Sequence, residues 1–165
     1  MTLTLYYHPL SSFCWKALIA LYESGVPFEP RMVNLGDPAE RAAFQKVWPL
    51  AKFPVLRDEE RGRTVPESSI IISYLARMEP SAASLIPDDP DQAMRAHLLD
   101  RLIDNYIHLP FQQVVGERPR PKGNHDPFGV EQAKSAIHAG YGLIAPLVEG
   151  RWALGDAFTI VDCAA

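Results

Sequence analysis

In the first half of the chain, segments with a two-residue hydrophobic repeat alternate with segments that have the apolar pattern of a helix. Leucine and tyrosine recur at every second residue over 2–7, which predicts a strand. Apolar residues then fill 13–21, and Gly25 ends this helix. The same patterns predict further strands at 28–35, 53–57 and 64–65, and further helices at 37–48 and 67–78.

These segments follow one another in the order β-α-β-α-β-β-α. A connection through a helix favours parallel pairing of the first two strands. The short polar turn 58–62 instead favours an antiparallel hairpin between the last two. The sequence therefore predicts an α/β domain with a mixed sheet.

The pattern changes to helix alone after a proline-rich segment. Residues 80–90 contain three prolines and are predicted to be a linker. A wide apolar stripe with a four-residue spacing follows, and it predicts a helix that Pro110 kinks or ends. The stripe comprises Met94, Leu98, Leu102 and Tyr106, with Leu99, Ile103 and Ile107 beside them.

The rest of the chain supplies a loop over 116–129 and a second helix over 130–149. We therefore predict a first domain over 1–79, the linker over 80–90, and an all-helical domain over 91–165. Near the end, Thr159 and Asp162 have the spacing of a capping box, which predicts the start of a helix. The chain ends one turn later, so we expect a helical domain truncated at its C-terminus. A frayed natural terminus is the alternative.

Composition narrows the class of protein. The net charge of -4 argues against nucleic acid or an anionic membrane as the main partner, and no apolar run reaches the ~20 residues of a membrane span. Two cysteines make no disulfide framework, and the start of the chain lacks the charged segment of a signal peptide. The five histidines lack metal-ligand spacing. We expect a cytoplasmic protein without a bound metal.

The first strand-to-helix loop has the chemistry of a thiolate site. Ser11 stands at the helix start, three residues before Cys14, so a hydroxyl occupies the first position of a C-x-x-C-like motif. A helix N-terminus stabilises anions, and a hydroxyl adds a directed donor to a sulfur brought by a ligand. The alternatives are that Ser11 only caps the helix and that Cys14 is a packed residue of its first turn.

Two further pairs follow in order along the chain. Phe53-Pro54 opens the third strand, and a cis bond there would turn the Phe53 backbone outward toward a peptide ligand. Glu67-Ser68 opens the third helix, where a carboxylate and an ammonium of a ligand could both be held. An ordinary trans proline and simple helix capping are the alternatives.

Together these motifs resemble the cytosolic glutathione transferases. The resemblance is strongest over 3–75, particularly in Tyr-His-Pro-Leu-Ser-Ser-Phe-Cys-Trp-Lys and Pro-Glu-Ser-Ser-Ile-Ile-Ile, and it returns over 152–164. It implies a thioredoxin-like N-terminal domain that binds glutathione, followed by an all-helical domain. It also implies that the helical domain of the family continues beyond the end of this chain.

The resemblance assigns a role to each motif. Ser11 matches the serine that hydrogen-bonds the glutathione thiolate, with Ser12 as runner-up. Phe53 matches the residue whose backbone pairs with the cysteinyl part of glutathione, and Pro54 matches the cis proline. Lys52 matches a residue that reaches the glycyl carboxylate. Glu67 and Ser68 match the pair that holds the γ-glutamyl end.

The expected activity is conjugation of the glutathione thiolate to a small hydrophobic electrophile by a homodimer. Ser-Ser-Phe in place of the Ser-Ser-Cys of the isomerase-like zeta class speaks against an isomerase. The lack of Cys at position 11 speaks against the omega type. A non-catalytic binding module and a glutathione-dependent isomerase or reductase remain alternatives. Tyr106, His108 or Phe111 would line the electrophile pocket.

Overall fold

The computed structural model describes residues 3–148 and 150–165, so Thr2 of the predicted first strand and Glu149 of the predicted last long helix lie outside the described residues. The described chain divides into two compact units, the first ending at Ile86 and the second beginning at Pro87. None of the helices in these ranges is both long enough and apolar enough to span a membrane.

The first unit has the predicted order of elements, which confirms the α/β architecture. Its helices lie between strands where the sequence placed them, and Gly25 ends the first helix in a left-handed conformation with φ of 65°. The elements are β1 (Leu3–Tyr7), α1 (Ser12–Ser24), β2 (Glu29–Met32), α2 (Pro38–Val47), β3 (Val55–Asp58), β4 (Arg63–Pro66) and α3 (Ser68–Met78).

The four strands form one mixed sheet in the order β2-β1-β3-β4. β1 pairs with β2 in parallel and with β3 antiparallel, and β3 pairs antiparallel with β4. Tyr6 faces α2 and stacks on Phe44 with the ring centroids 5.4 Å apart. Since side chains alternate along a strand, the buried Leu3 and Leu5 point to the other face. There α3 contacts β3 and β4, and α1 packs against α3.

Several boundaries differ from the sequence prediction; Phe53 and Pro54, for example, precede β3 instead of opening it. Two of the differences change the description of the first unit. β2 is four residues long, because the pattern over 28–35 also contains the loop that leads to α2. The segment predicted to be a linker contains a 3₁₀ helix, Pro80–Leu85, whose Ala82 and Leu85 are buried within the first unit. Only the residues after it connect the two units.

The regular elements of the second unit are helices, as predicted. It contains α4 (Pro90–Ile103), a π-helical turn (Asp104–His108), α5 (Leu109–Gly116), α6 (Pro127–Ile144), a 3₁₀ turn (Ala145–Leu147) and α7 (Ile160–Ala164). The predicted capping box at the start of α7 is confirmed, because Thr159 Oγ1 accepts from the amide of Val161 and the Asp162 carboxylate accepts from the amide of Thr159.

The predicted apolar stripe of α4 coincides with only part of its buried face. Met94 and Leu98 are 70% and 55% exposed. The residues of α4 and the π turn that are buried lie beside them: Ala96, Leu99, Asp100, Ile103, Asp104 and Ile107. The buried face thus includes two aspartates and an alanine, so apolar spacing identified the helix but only part of its core side.

The helical path does not end at Pro110, contrary to one of the two predicted outcomes. The chain passes through the π turn into α5, with Pro110 at the start of α5. Because proline has no N–H, its position is tolerated at the start of a new helical segment. The Tyr106 carbonyl, four residues earlier, lies close to α6: a Cβ at Gly140 would be only 2.8 Å from this oxygen.

Candidate functional site

The predicted motifs of the first unit meet at one edge of the sheet. Tyr6 of β1 pairs with Val55 of β3, which in turn pairs with Pro66 of β4. The end of β1, the start of β3 and the end of β4 therefore lie side by side. The loop leading into α1, the Phe53-Pro54 pair and the start of α3 are attached to these three strand ends.

The dimensions of this edge suit an extended peptide. Neighbouring strands lie about 4.8 Å apart, so β1 and β4, with β3 between them, are separated by roughly 10 Å. An extended chain of three residues spans about 10 Å. A tripeptide-sized ligand lying across the edge could reach all three motifs at once.

Ser11 is the N-cap of α1. Its backbone is extended, and its Oγ accepts a hydrogen bond from the amide of Cys14 at 3.4 Å. The capping role considered from the sequence is therefore present, and it uses the hydroxyl oxygen as an acceptor. Ser12 is the first helical residue and is half-buried. Trp15 fixes the loop by donating its indole N–H to the Pro9 carbonyl at 2.8 Å.

Cys14 is a packed residue rather than a reactive one, in agreement with the alternative drawn from the sequence. Its side chain is fully buried. Burial raises the pKa of the Cys14 thiol, although hydrogen bonds from the Ser11 hydroxyl and the His8 backbone act in the opposite direction.

The backbone N–H and carbonyl of Phe53, between the starts of α1 and α3, are available for hydrogen bonds. The Phe53–Pro54 peptide bond is cis. Within the described ranges, the Phe53 N–H and carbonyl make no hydrogen bond to the protein, so both can pair with a peptide. The Phe53 ring is held by stacking on Phe44, with centroids 5.1 Å apart. Lys52, one residue earlier, is exposed beside this edge.

His8, in the loop before α1, lies beside Phe53. Its side chain is half-buried and stacks on Phe53, with the ring centroids 6.1 Å apart. Its Nδ1 accepts a hydrogen bond from the amide of Leu10 at 3.2 Å. A neutral ring in this arrangement carries its proton on Nε2. No sequence signal distinguished this histidine, because the contact depends on strand pairing.

The start of α3 lacks a side-chain cap. Glu67 occupies the N-cap position, yet its side chain makes no capping hydrogen bond. Its φ of 69° lies in the left-handed region, which is strained for a residue with a side chain. Ser68, the first helical residue, is buried, and its hydroxyl has no hydrogen-bond partner among the described residues. The capping alternative for this pair is therefore wrong.

This open helix end contrasts with the other α-helices that begin after a loop. Among the described residues, side chains cap every one of those: Ser11 for α1, Asp37 for α2, Asp89 for α4, Asp126 for α6 and Thr159 for α7. An uncapped helix N-terminus exposes N–H groups and the positive end of the helix dipole. The start of α3 can therefore hold a carboxylate.

Two groups that the sequence analysis did not single out hold α3 in place. Lys16, buried in α1, donates from Nζ to the Ser69 hydroxyl at 2.8 Å. On the other side, Tyr74 donates its hydroxyl to the buried Asp58 carboxylate at 2.6 Å. A lysine within an otherwise apolar helix face is the one signal that could have indicated the first contact.

The candidate electrophile residues lie in the second unit. Tyr106 and Phe111 are 50% and 43% exposed. His108 is half-buried, and its Nε2 lies 2.9 Å from the Ala164 carbonyl, which links the π turn to α7. Within this unit, His108 is thus engaged in helix packing, whereas the two aromatic side chains are accessible.

Two other features of the described residues concern metal binding and a groove outside the candidate site. No group of three or more His, Cys, Asp or Glu side chains within these ranges could hold a metal ion. A groove of about 330 Å³ lies beside α2, but it contains none of the predicted site residues. It is lined by Tyr6, Arg31, Met32, Val33, Glu40, Ala43, Phe44 and Val47.

Comparison with known proteins agrees with the resemblance found in the sequence. A family model described as "Glutathione S-transferase, N-terminal domain" matches residues 5–83. A glutathione S-transferase of Pseudomonas putida is 30% identical over 156 residues, covering 93% of this chain and 67% of the relative. A probable maleylacetoacetate isomerase of Caenorhabditis elegans is 28% identical over 165 residues, covering 96% of this chain and 73% of the relative.

A solved structure gives the corresponding similarity in fold. The glutathione S-transferase of Methylobacterium radiotolerans, in complex with glutathione sulfonate, superposes with a TM-score of 0.84 and is 32% identical, covering 99% of this chain and 76% of that one. Sequence and fold therefore agree that the chain belongs to the glutathione S-transferase family of enzymes.

Proposed function

We propose that the protein binds glutathione along the sheet edge and joins it, through its sulfur, to a small electrophile. The observation that carries this proposal is the meeting of three complementary groups at one edge: a donor at the start of α1, an open backbone at Phe53 and an uncapped start of α3. These suit the thiolate, the peptide backbone and the γ-glutamyl carboxylate of glutathione. Glu67 would accept from the ammonium, and the exposed Lys52 would reach the glycyl carboxylate.

The Ser11 hydroxyl would stabilise the thiolate. A free thiol has a pKa of about 8.5, so only a few per cent is ionised at pH 7. A hydrogen bond to a charged group is worth about 1.5–3 kcal/mol, which corresponds to roughly one to two pKa units. The α1 dipole acts in the same direction. Together they would make the thiolate a major species at neutral pH.

The reaction then needs little further chemistry from the protein. The sulfur lone pair forms a bond to an electrophilic carbon while the leaving group departs with its electron pair, and the thiol proton passes to solvent. Ser11 keeps its proton throughout and acts as a hydrogen-bond donor to the sulfur. Its contribution is activation of a bound nucleophile by a lowered pKa.

A titration of the glutathione thiolate by its ultraviolet absorbance tests the assignment of Ser11. We expect the wild-type complex to show a thiol pKa one to two units below the free value, and Ser11→Ala to remove about that shift. Ser12→Ala is the matched control and should retain it. The opposite result, with the shift lost in Ser12→Ala and kept in Ser11→Ala, would transfer the role to Ser12.

A glutathione-dependent isomerase is the second candidate, favoured by the match to a maleylacetoacetate isomerase over 96% of the chain. Both reactions begin with attack of the same thiolate. They differ afterwards, because an isomerase releases glutathione again with the product. Incubation with glutathione and either an aryl halide or a cis-configured unsaturated diketo acid separates them: a stable thioether indicates transfer, and isomerisation without consumption of glutathione indicates the alternative.

We also propose that the protein forms a homodimer through the exposed side of α4. Met94 and Leu98 lie one helical turn apart on this side and are 70% and 55% exposed, so they form a small apolar patch that a second copy could cover. Light scattering of the purified chain should give about twice the monomer mass. Leu98→Lys should shift the mass to that of a monomer, and an unchanged mass in this variant would place any interface elsewhere.

A further inference from the structure

Lys16 is buried in α1. Only 1% of the residue is exposed. Its Nζ donates to the Ser69 hydroxyl at 2.8 Å. Removing an ammonium from water is costly, so a buried lysine is retained where its charge or its hydrogen bonds have a use.

The position of Lys16 relates it to both helix ends of the site. It lies four residues after Ser12, so it is about 6 Å from the start of α1 along the helix axis. Ser69, which it contacts, belongs to the first turn of α3 and directly follows Ser68. The lysine therefore ties the two helices together close to their N-termini. The packing of α1 against α3 maintains the same arrangement.

The start of α3 is the part of the site that the Lys16 contact supports. Its exposed N–H groups carry the positive end of a helix dipole, and no side-chain hydrogen bond caps them. Ser69, which accepts from Lys16 Nζ, lies in the same turn. By holding this turn in place, Lys16 keeps the N–H groups in position for a carboxylate.

We propose that Lys16 is a positioning residue for the γ-glutamyl carboxylate of glutathione, an inference that rests on the proposed function. It fixes the first turn of α3 through Ser69, so that Ser68 and the free N–H groups face the ligand. Lys16 does not touch the ligand; it acts through the start of α3.

If Lys16 has this role, replacing it should weaken the binding only of ligands that carry the γ-glutamyl carboxylate. A peptide in which 4-aminobutyrate replaces the γ-glutamyl residue keeps the amine, the thiol and the glycyl end of glutathione but lacks the γ-glutamyl carboxylate. A lysine that only stabilises the fold would affect the binding of both peptides equally. A lysine that prepares the carboxylate site would affect glutathione alone.

The test is calorimetric binding of glutathione and of 4-aminobutyryl-cysteinyl-glycine to the wild type and to Lys16→Met. We expect the variant to weaken glutathione binding about tenfold and the analogue by less than about twofold, a coupling within the range measured for interacting groups. Lys16→Arg, which retains the charge, should recover part of the loss. Lys134→Met removes an exposed lysine of α6 and is the matched control, expected to bind both peptides as the wild type does.

Ser69→Ala covers the case in which Lys16→Met does not fold. It keeps the ammonium but removes its acceptor, and it should show the same selective loss to a smaller degree. Equal weakening of both peptides in these variants, or no weakening in either, would overturn the proposed role of Lys16. If the wild type itself binds neither peptide, the proposed function fails first, and this inference fails with it.

Discussion

Replacing Gly140 by alanine tests how closely α6 approaches the π turn in the second unit. A Cβ at this position would lie 2.8 Å from the Tyr106 carbonyl oxygen and 2.8 Å from Cδ1 of Ile107. The Ile107 side chain can move, but the carbonyl belongs to the backbone of a packed helix. Relief of the clash therefore requires the two helices to separate by several tenths of an ångström.

The magnitude follows from two opposing effects. Overpacking of this kind costs about 1–3 kcal/mol. Alanine is more favourable than glycine within a helix by about 1 kcal/mol. Gly142 lies two residues further along α6, and a Cβ added there would meet no atom within 4 Å, so Gly142→Ala should gain the helix propensity alone. The difference between the two variants thus isolates the steric cost, about 1–3 kcal/mol.

Urea denaturation followed by circular dichroism measures both variants against the wild type. We expect a lower midpoint for Gly140→Ala and an equal or higher midpoint for Gly142→Ala, with similar slopes. Equal midpoints for the two variants would show that α6 has room at Gly140. The close approach to the Tyr106 carbonyl would then be refuted.

Two further predictions concern the first unit. Ser68→Ala should weaken glutathione binding about tenfold, the loss of one hydrogen bond to a carboxylate, without lowering the melting temperature, and unchanged affinity would exclude Ser68 from the site. Asp58→Asn should destabilise the protein by about 1–2 kcal/mol at pH 7 in urea denaturation. Burial favours the neutral carboxyl, but hydrogen bonds from Tyr74 and Arg61 outweigh it and lower the pKa of Asp58. The stabilisation is therefore present above about pH 4, the unfolded pKa, and the gap between wild type and variant should narrow as pH falls through the lower folded value; a gap independent of pH would contradict this.

Local signals in the sequence were sufficient where a boundary depends on one residue's chemistry. Gly25 ends α1 because glycine adopts the left-handed conformation without a steric penalty. Asp37 caps α2 by accepting from the amides of Ala39 and Glu40, and a proline follows it as expected for a helix start. Such contacts join residues within four positions of one another, so the order of residues along the chain already contains them.

The buried face of α4 could not be found in this way. The sequence shows Met94, Leu98 and Leu99 as equivalent apolar positions, but only Leu99 is buried. The selection is made by neighbours in α6 and α7, and by the π turn, which changes the angular spacing of the residues after Ile103. Buried aspartates on the same face give no apolar signal at all.

The two helix starts of the candidate site show why the motifs identified the residues but not whether each helix start is capped. From the sequence, Ser11 and Ser68 are both serines at a helix start, and each could be a cap. In the structure Ser11 caps α1 and so satisfies one amide, whereas α3 begins at Ser68 with a strained Glu67 and no cap. A capped end leaves a hydroxyl proton for a thiolate, and an open end leaves several N–H groups for a carboxylate. The difference between the two ends therefore suits the two different anionic groups of the proposed ligand. It arises because the N-cap residue is a serine at α1 but a glutamate without a capping hydrogen bond at α3.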